Sequence, residues 1–454
     1  MSTKVAYFIG VGGAGMSSIA MFLNKTGWKV HGYDKVKTPL TDNLIQEGII
    51  INFDSSEKSI PDDVKVNGLL LVTTPAINSH HPHLVALNKM GHKSIKRSEL
   101  LGQIINSGST LAIAGTHGKT TTTALLAHIM DGTPNRCNAF IGGVSAETNS
   151  NLYYSSKAKW TAVEADEFDR SFHTLHPTHS VITSIDPDHL DIYGTEEKFI
   201  EAFKIYASQV KKTIVAHHTI TKPFSGFKNI ETYGIDNQEL NHFATDLSQT
   251  DSGTLFSLSL GNGNVEIENV RVNLMGKHNL ENVIAAAALA YLAGAEKEVI
   301  RSRIESFKGI YRRFQIHVNT ESKVYIDDYA HHPTELRKTI QAVKKHFPEK
   351  HITVIFQPHL YSRTLDQMDG FASELREVDR LILLPIYAAR ENPIPGFNTQ
   401  SLFEKISHPY GKTSTKNSIL DTLKAHPVEI LLTAGAGDIS TLVPNLKKWM
   451  NMKA

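Results

Sequence analysis

Short apolar runs alternate with stretches of helical spacing through most of the chain, a pattern that predicts an α/β protein built on parallel sheets. The first candidate strands are Val5-Ala6-Tyr7-Phe8-Ile9 and Leu69-Leu70-Leu71-Val72, and an amphipathic run from Ser17 to Lys25 follows the first of them. A second set opens at Leu111-Ala112-Ile113-Ala114 and continues through Trp160-Thr161-Ala162-Val163 and Ser180-Val181-Ile182-Thr183. A third comprises Lys323-Val324-Tyr325-Ile326, Ile352-Thr353-Val354-Ile355-Phe356, Leu381-Ile382-Leu383-Leu384 and Glu429-Ile430-Leu431-Leu432. Between the second and third sets, residues 252–275 alternate as antiparallel strands do, with Gly261-Asn262-Gly263 as the turn. Each set opens with its own strand and loop chemistry, which places boundaries near residues 100–108 and 308–316. The segments are then 1–104, 105–311 and 312–454. Neither a short repeat nor a low-complexity tract interrupts them.

Composition narrows the class. A chain of 454 residues exceeds one ordinary core and suggests two to four domains. Hydrophobic residues at 41% and charged residues at 20% are ordinary globular values. The formal net charge of +1 supplies no global field to draw the protein to nucleic acid or anionic lipid. Any phosphate binding must come from local loops. Cys137 is the only cysteine, so no intrachain disulfide can form. The start, Met1-Ser2-Thr3-Lys4-Val5, leads into a strand-like run without the apolar stretch of a signal peptide. No run reaches the roughly 18 apolar residues of a membrane span. The expectation is a cytoplasmic protein with no membrane insertion.

Two loops carry candidate chemistry. Gly10-Val11-Gly12-Gly13-Ala14-Gly15 satisfies G-x-G-x-x-G between a strand and a helix. Its glycines permit a tight turn and let backbone N–H groups approach a diphosphate at the helix N-terminus. Asp34, at the end of the next strand, could accept from a ribose hydroxyl. Taken alone the loop reads as NAD binding or as a merely tight turn, and it cannot say what lies at the far end of a diphosphate. Gly115-Thr116-His117-Gly118-Lys119-Thr120 is a P-loop with Ile113 where the usual pattern has its first glycine. Its N–H groups can cradle phosphate oxygens, Lys119 can reach the β/γ-phosphates and the Thr120 hydroxyl can ligate Mg²⁺. The later runs Glu164-Ala165-Asp166-Glu167 and Asp186-Pro187-Asp188-His189 end neighbouring strands, where a nucleotide's magnesium needs oxygen ligands. Imidazole suits softer metals, so His189 alone reads as a solvated loop histidine, and Glu167 and Asp169 as surface charges.

These runs together resemble the Mur ligase family. The P-loop, Glu164–Glu167 and Asp188-His189-Leu190-Asp191 are similar to its central ATPase signature. Gly276-Lys277-His278-Asn279-Leu280-Glu281-Asn282 looks like its adenine-contacting run. Asp327-Asp328-Tyr329-Ala330-His331-His332-Pro333-Thr334-Glu335 and Phe356-Gln357-Pro358-His359-Leu360-Tyr361-Ser362-Arg363-Thr364 look like its C-terminal domain. The resemblance spans nearly the whole chain in order, and the last two runs point to the members that add L-alanine. It implies three domains: a Rossmann-like UDP-sugar domain, a central P-loop ATPase domain with a mixed sheet, and a Rossmann-like C-terminal domain contacting amino acid and nucleotide. The implied activity is ATP- and Mg²⁺-dependent ligation of L-alanine to UDP-N-acetylmuramate by a monomer or homodimer, with no nucleic-acid partner.

The resemblance also implies roles. Gly10, Gly12, Gly13 and Gly15 would hold the UDP diphosphate, overriding NAD, with Asp34, Thr73 and Thr74 completing that substrate site. Gly115, Thr116, His117, Gly118, Lys119, Thr120 and Thr121 would hold ATP phosphates. Thr120, Glu164 and His189 would hold magnesium. His278, Asn279 and Asn282 would meet the adenine, and Arg313 and Asp327 the nucleotide. Tyr329, His331 and Arg363 would face the reacting muramoyl and alanine groups, with Lys119, His331 and Arg363 catalytic. Two positions depart from the family. Leu360 stands where an arginine is frequent, and Ala330 where a glycine is frequent, so the backbone at 330 should not need a glycine-only conformation.

Such chemistry activates a poor acyl donor by phosphoryl transfer, giving an acyl phosphate that the neutral amine attacks. His331 has a suitable ordinary pKa to take the amine's proton. Read without the family, His331 and His332 are a helix N-terminal cap before Pro333. Lys204 reads as a solvated helix-face lysine. A nucleotide switch that hydrolyses ATP, an oxidoreductase, and a ligase attaching a ready-made murein tripeptide are the competing functions.

Overall fold

The computed structural model describes residues 4–187, 190–250, 253–389 and 391–452. Its first sheet is all parallel, in the order Ile50–Asn52, Lys29–Tyr33, Val5–Ile9, Leu70–Thr73, Ser94–Lys96. All five residues of Val5–Ile9 are buried, which is why the run is continuously apolar rather than alternating. The chain builds outward on one side of this strand and then crosses to the other. That reversal leaves a crevice at the carboxyl ends of Val5–Ile9 and Leu70–Thr73, where open α/β sheets bind ligands.

The central sheet is mixed. From one edge to the other it runs Val265–Val272, Gly253–Leu260, His242–Thr250, Ile230–Ile235, Thr213–His217, His179–Ile182, Ser109–Ala114, Trp160–Ala165, Cys137–Phe140, Leu152–Tyr153. The P-loop strand Ser109–Ala114 pairs in parallel with His179–Ile182 on one side and Trp160–Ala165 on the other. Both neighbours therefore deliver their carboxyl ends to the loop. The expected hairpin forms from Gly253–Leu260 and Val265–Val272, paired antiparallel. Gly261, Asn262 and Gly263 turn it with φ of +63°, +59° and +82°.

The third sheet runs Gln315–Asn319, Val324–Asp328, Ile430–Ala434, Ile352–Phe356, Arg380–Leu383, Gly411–Thr413, with only the first pair antiparallel. Alternate residues feed separate cores on its two faces. Val324, Ile326, Val354, Phe356, Leu381 and Leu383 enter one, while Tyr325, Ile355, Ile382 and Leu431 enter the other. Burial of each such side chain stabilises by about 1.5–3 kcal/mol, and a sheet covered twice needs apolar residues at every position.

Contacts group the chain into two units, Met1–Asn273 with Asn279–Gly309, and Leu274–His278 with Ile310–Ala454. The first unit holds two sheets because one apolar cluster runs through both, including Phe8 and Ile19 with Phe140, Val163 and Ile182. Asn151 adds polar stitching, its amide donating to the Ala14 carbonyl at 2.6 Å and to the Ser17 hydroxyl at 2.8 Å. Among the described residues, no helix is long and apolar enough to cross a membrane.

Candidate active site

The first glycine loop leaves the strand Val5–Ile9 at Gly10, whose φ of +86° suits a residue without Cβ. Gly13 caps the helix Ala14–Lys25. The Gly12 N–H donates to Asp34 Oδ2 at 2.7 Å, and a Cβ on Gly12 would lie 2.8 Å from that oxygen. Asp34 thus fixes the loop as well as facing the crevice. Thr74 follows the strand Leu70–Thr73 into the same crevice; Thr73 is the strand's last residue and does not line it.

The second loop is braced from the His179–Ile182 side. The Thr116 hydroxyl donates to the Asp186 carbonyl at 2.8 Å, and the His117 N–H donates to Ser184 Oγ at 2.9 Å. Gly115 and Gly118 both need their missing Cβ. Their φ values are +125° and +83°, and added carbons would meet Thr183 Oγ1 at 2.2 Å and Asn282 Oδ1 at 2.3 Å. The helix Lys119–Asp131 then starts with N–H groups that lack intrahelical acceptors and carry positive partial charge. Thr121 lies buried in its first turn.

Lys119 Nζ donates to the Gly115 carbonyl and to Glu167 Oε2, each at 2.7 Å. Glu167 is only 1% exposed, so it is not the surface charge its sequence context suggests. The strand Trp160–Ala165 carries it inward, and the Lys119 cation makes its burial tolerable. Burial alone would depress the Lys119 ammonium, but Glu167, Asp166 and Glu164 outweigh it and hold its pKa above the ordinary lysine value. Lys119 is therefore a firm cation at the start of the helix.

Glu164 points from the same strand at the helix start. Its Oε2 accepts from Thr120 Oγ1 at 3.0 Å and its Oε1 from the Gly142 N–H at 2.6 Å. Burial pushes its pKa up despite these donors and Lys119. A carboxylate so placed beside a hydroxyl is a hard oxygen pair short of positive charge, which fits magnesium. Among the described residues no cluster of three or more His, Cys, Asp or Glu side chains could hold a metal. Any metal here would also need phosphate or water oxygens. His189, expected beside these two, lies outside the described residues, as does Asp188.

The two loops open on one space. A cavity of about 730 Å³ is lined by Gly10, Gly13 and Gly15 of the first loop and by Thr120 and Glu164 of the second. Asp34, Thr74 and Asp166 also line it. Asn279 and Asn282 enter the helix Lys277–Leu292 in this unit, with Asn282 Nδ2 donating to Asn279 Oδ1 at 3.4 Å. His278 groups with the other unit. Lys204 pairs with Glu201 at 3.8 Å and is 41% exposed.

In the second unit, parallel pairing brings the segments after Val324–Asp328 and Ile352–Phe356 to one edge of the sheet. Tyr329 lies under two guanidinium groups, Arg312 and Arg313, each 5.0 Å from its ring centre. The cation beside Asp327 is Arg312, at 3.5 Å, a residue that the sequence does not single out. Arg312 itself has a φ of +64°. Asp328 is structural: its carboxylate accepts from the Phe314 N–H at 2.6 Å and the Ala330 N–H at 2.7 Å. Ala330 is not among the residues of positive φ, whereas Leu360 is, at +68°.

The cap reading describes His332, whose Nδ1 accepts from the Thr334 N–H at 3.3 Å while Glu335 closes a capping box. His331 is different. Its Nδ1 lies 3.0 Å from the Tyr329 carbonyl and 3.2 Å from Glu335 Oε2, and its ring centre is 6.2 Å from that of His359. Burial lowers its pKa, and Arg363 and Arg313 add to that against Glu335 and the carbonyl. This favours the neutral imidazole.

Asp327 gives a stability prediction. Burial pushes its carboxyl up from 3.8 to about 6, against Arg312 and the Thr433 hydroxyl, which donates to it at 2.6 Å. A raised acid is easier to ionise unfolded than folded, so stability falls as pH climbs through this window. Relative to Asp327→Asn, the unmodified chain should lose about 2 kcal/mol between pH 4 and pH 7. Denaturant unfolding at several pH values measures this; parallel curves would contradict it.

Comparison with known proteins adds a family. Its models match in succession: Mur ligase family, catalytic domain, at residues 5–108; Mur ligase middle domain at 113–290; and Mur ligase, glutamate ligase domain, at 312–443. The UDP-N-acetylmuramate–L-alanine ligase of Porphyromonas gingivalis is 42% identical over 453 residues, covering 98% of this chain and 99% of that one. The enzyme of the same name from Flavobacterium johnsoniae is 40% identical over 446 residues, covering 98% and 97%. Among solved structures, the UDP-N-acetylmuramate–alanine ligase of Thermotoga maritima matches with a TM-score of 0.82 at 23% identity, over 100% of both chains. A murein peptide ligase from Psychrobacter arcticus matches at 0.71 with 20% identity, over 99% and 100%. At these identities the solved structures speak for the three-domain α/β fold.

Proposed function

The chain belongs to the Mur ligase family, and we propose that it joins L-alanine to the carboxylate of UDP-N-acetylmuramate at the expense of ATP. The products are the amide, ADP and phosphate, and the enzyme acts in the cytoplasm in peptidoglycan precursor synthesis. In this reading residues 1–104 hold the UDP-sugar, 105–311 hold ATP, and 312–454 contact the amino acid and nucleotide. The observation that carries it is the single cavity lined by both the Gly10–Gly15 loop and the Thr120–Glu164 pair. A diphosphate seated on the first loop sends its sugar's acid toward the phosphates seated on the second. Among members of the family, relatives about 40% identical over nearly the whole chain favour alanine over a ready-made tripeptide.

The carboxylate attacks the γ-phosphorus of ATP, giving an acyl phosphate and ADP. Little covalent work falls to the protein, which positions the groups and balances charge with Lys119 and the N–H groups of the P-loop. Thr120 and Glu164 would hold magnesium, which when bound neutralises phosphate charge. The alanine amine then attacks the acyl carbon, a tetrahedral intermediate forms, and phosphate leaves as the amide is made. His331 takes the amine's proton, Arg363 orients the reacting groups with Tyr329, and Arg313 and Asp327 reach the nucleotide. His278, Asn279 and Asn282 meet its adenine, while Asp34 and Thr74 complete the UDP-sugar site.

The test is ADP release with UDP-N-acetylmuramate and each candidate amino acid, with the product identified by mass. Release that ignores the UDP-sugar would favour a nucleotide switch; release that needs a tripeptide would favour the recycling ligase. Glu164→Gln should raise the magnesium concentration for half-maximal activity by about tenfold or more. An unchanged magnesium curve would reassign Glu164 to holding Gly142 and Thr120.

A further inference from the structure

Arg97 opens the helix Arg97–Ile105 directly after the edge strand Ser94–Lys96. Its side chain lines the cavity shared by the two loops. The guanidinium lies against the first loop: a Cβ on Gly15 would be 2.9 Å from Nη1, 3.1 Å from Cδ and 3.2 Å from Cζ. In dinucleotide loops the third glycine serves close packing of helix on strand. Here the space over Gly15 is taken by an arginine instead.

Among the described residues this guanidinium makes no ion pair or hydrogen bond. Glu164 and Asp166 share a small recess with Arg97 but stay outside ion-pair distance. Five donors in a planar fork, half-buried and without acceptors, call for an oxyanion. Beside it, at Gly15, lies the first turn of the helix Ala14–Lys25, where the loop presents N–H groups suited to an anion.

We infer that Arg97 clamps the diphosphate of the UDP-sugar from the side opposite the loop backbone. The inference rests on the reading of the Gly10–Gly15 loop given above. It makes Arg97 a positioning residue for the nucleotide sugar and gives Gly15 the task of admitting it.

Titration calorimetry on the full chain with UDP-N-acetylglucosamine, UDP-N-acetylmuramate and ATP tests this. UDP-N-acetylglucosamine has the diphosphate without the acid. Arg97→Ala should weaken both UDP-sugars by about 10- to 100-fold, the scale of a lost charge-assisted contact, and leave ATP binding intact. Intact ATP binding also certifies folding. In turnover the KM for UDP-N-acetylmuramate should rise with little change in kcat. Arg97→Lys should recover part of the affinity as a point charge, and Gly15→Ala, which displaces the flexible guanidinium, should reproduce part of the loss. Weakening confined to UDP-N-acetylmuramate would put Arg97 on the acid and overturn the inference. So would unchanged affinity, or a loss of ATP binding. If the unmodified chain bound neither UDP-sugar, the reading of the loop itself would fall.

Discussion

Lys119→Ala is expected to slow ADP release by about a thousandfold or more, the upper scale for losing one preorganised contact to developing charge. The structure adds a consequence for stability. Glu167 is 1% exposed and Lys119 is its ion-pair partner at 2.7 Å. Removing one member of a buried pair costs about 3–5 kcal/mol, because the other is left uncompensated. Burial already pushes the Glu167 carboxyl up, ahead of the opposing pull of Lys119, and removing that cation raises it further. Loss of activity in the single variant could then reflect loosening of the loop. Lys119→Ala combined with Glu167→Gln separates the two effects. The double variant should regain most of the lost thermal stability and none of the lost turnover. Recovery of turnover would make Lys119 a scaffold for the loop rather than a partner of phosphate.

Why Glu167 escaped the sequence reading bears on what sequences disclose. The strands buried on both faces were legible because their burial leaves an unbroken apolar run: Ile352–Phe356 has the expected ends, and Val324–Asp328 and Ile430–Ala434 begin one residue later than expected. The P-loop was legible because its chemistry is local. Strands with a polar face were not. His242–Thr250, one wall of the hairpin's sheet, is mostly exposed in its second half and carries no apolar run. Glu167 and Lys119 are 48 positions apart, and nothing in Glu164-Ala165-Asp166-Glu167 says which carboxylate turns inward. Arg312 and Arg313 are neighbours of one type, and nothing in the sequence says that Arg312 is the one that meets Asp327. Arg97 sits in Lys96-Arg97-Ser98-Glu99, an ordinary charged helix start, and its approach to Gly15 is a fact of packing alone.

The same dependence on packing governs the last expectation, that Arg363→Ala lowers ligation by about a hundredfold while single binding of ATP and of UDP-N-acetylmuramate persists. Arg363 sits in the short helix Tyr361–Asp366, which starts at Leu360. Leu360 holds φ +68° and ψ 138°, a conformation that costs a non-glycine residue about 1–3 kcal/mol. Its carbonyl accepts from Thr364 Oγ1 at 2.6 Å, which ties down the turn that carries Arg363. At His331, the carbonyl of Tyr329 and the Glu335 carboxylate both face Nδ1, so the ring proton belongs there and Nε2 keeps the lone pair that a base needs. Burial first, then Arg363, keep that imidazole from charging. Removing the Arg363 cation must therefore raise the pKa of His331. The acidic limb of the kcat profile should move to higher pH in Arg363→Ala, and His331→Gln should erase the limb. A surface ion pair worth under about 1 kcal/mol would give neither the rate loss nor the shift. A rate loss with an unmoved limb would leave Arg363 acting on the substrates alone, and His331 would lose its claim to the amine's proton if its own replacement left the limb in place.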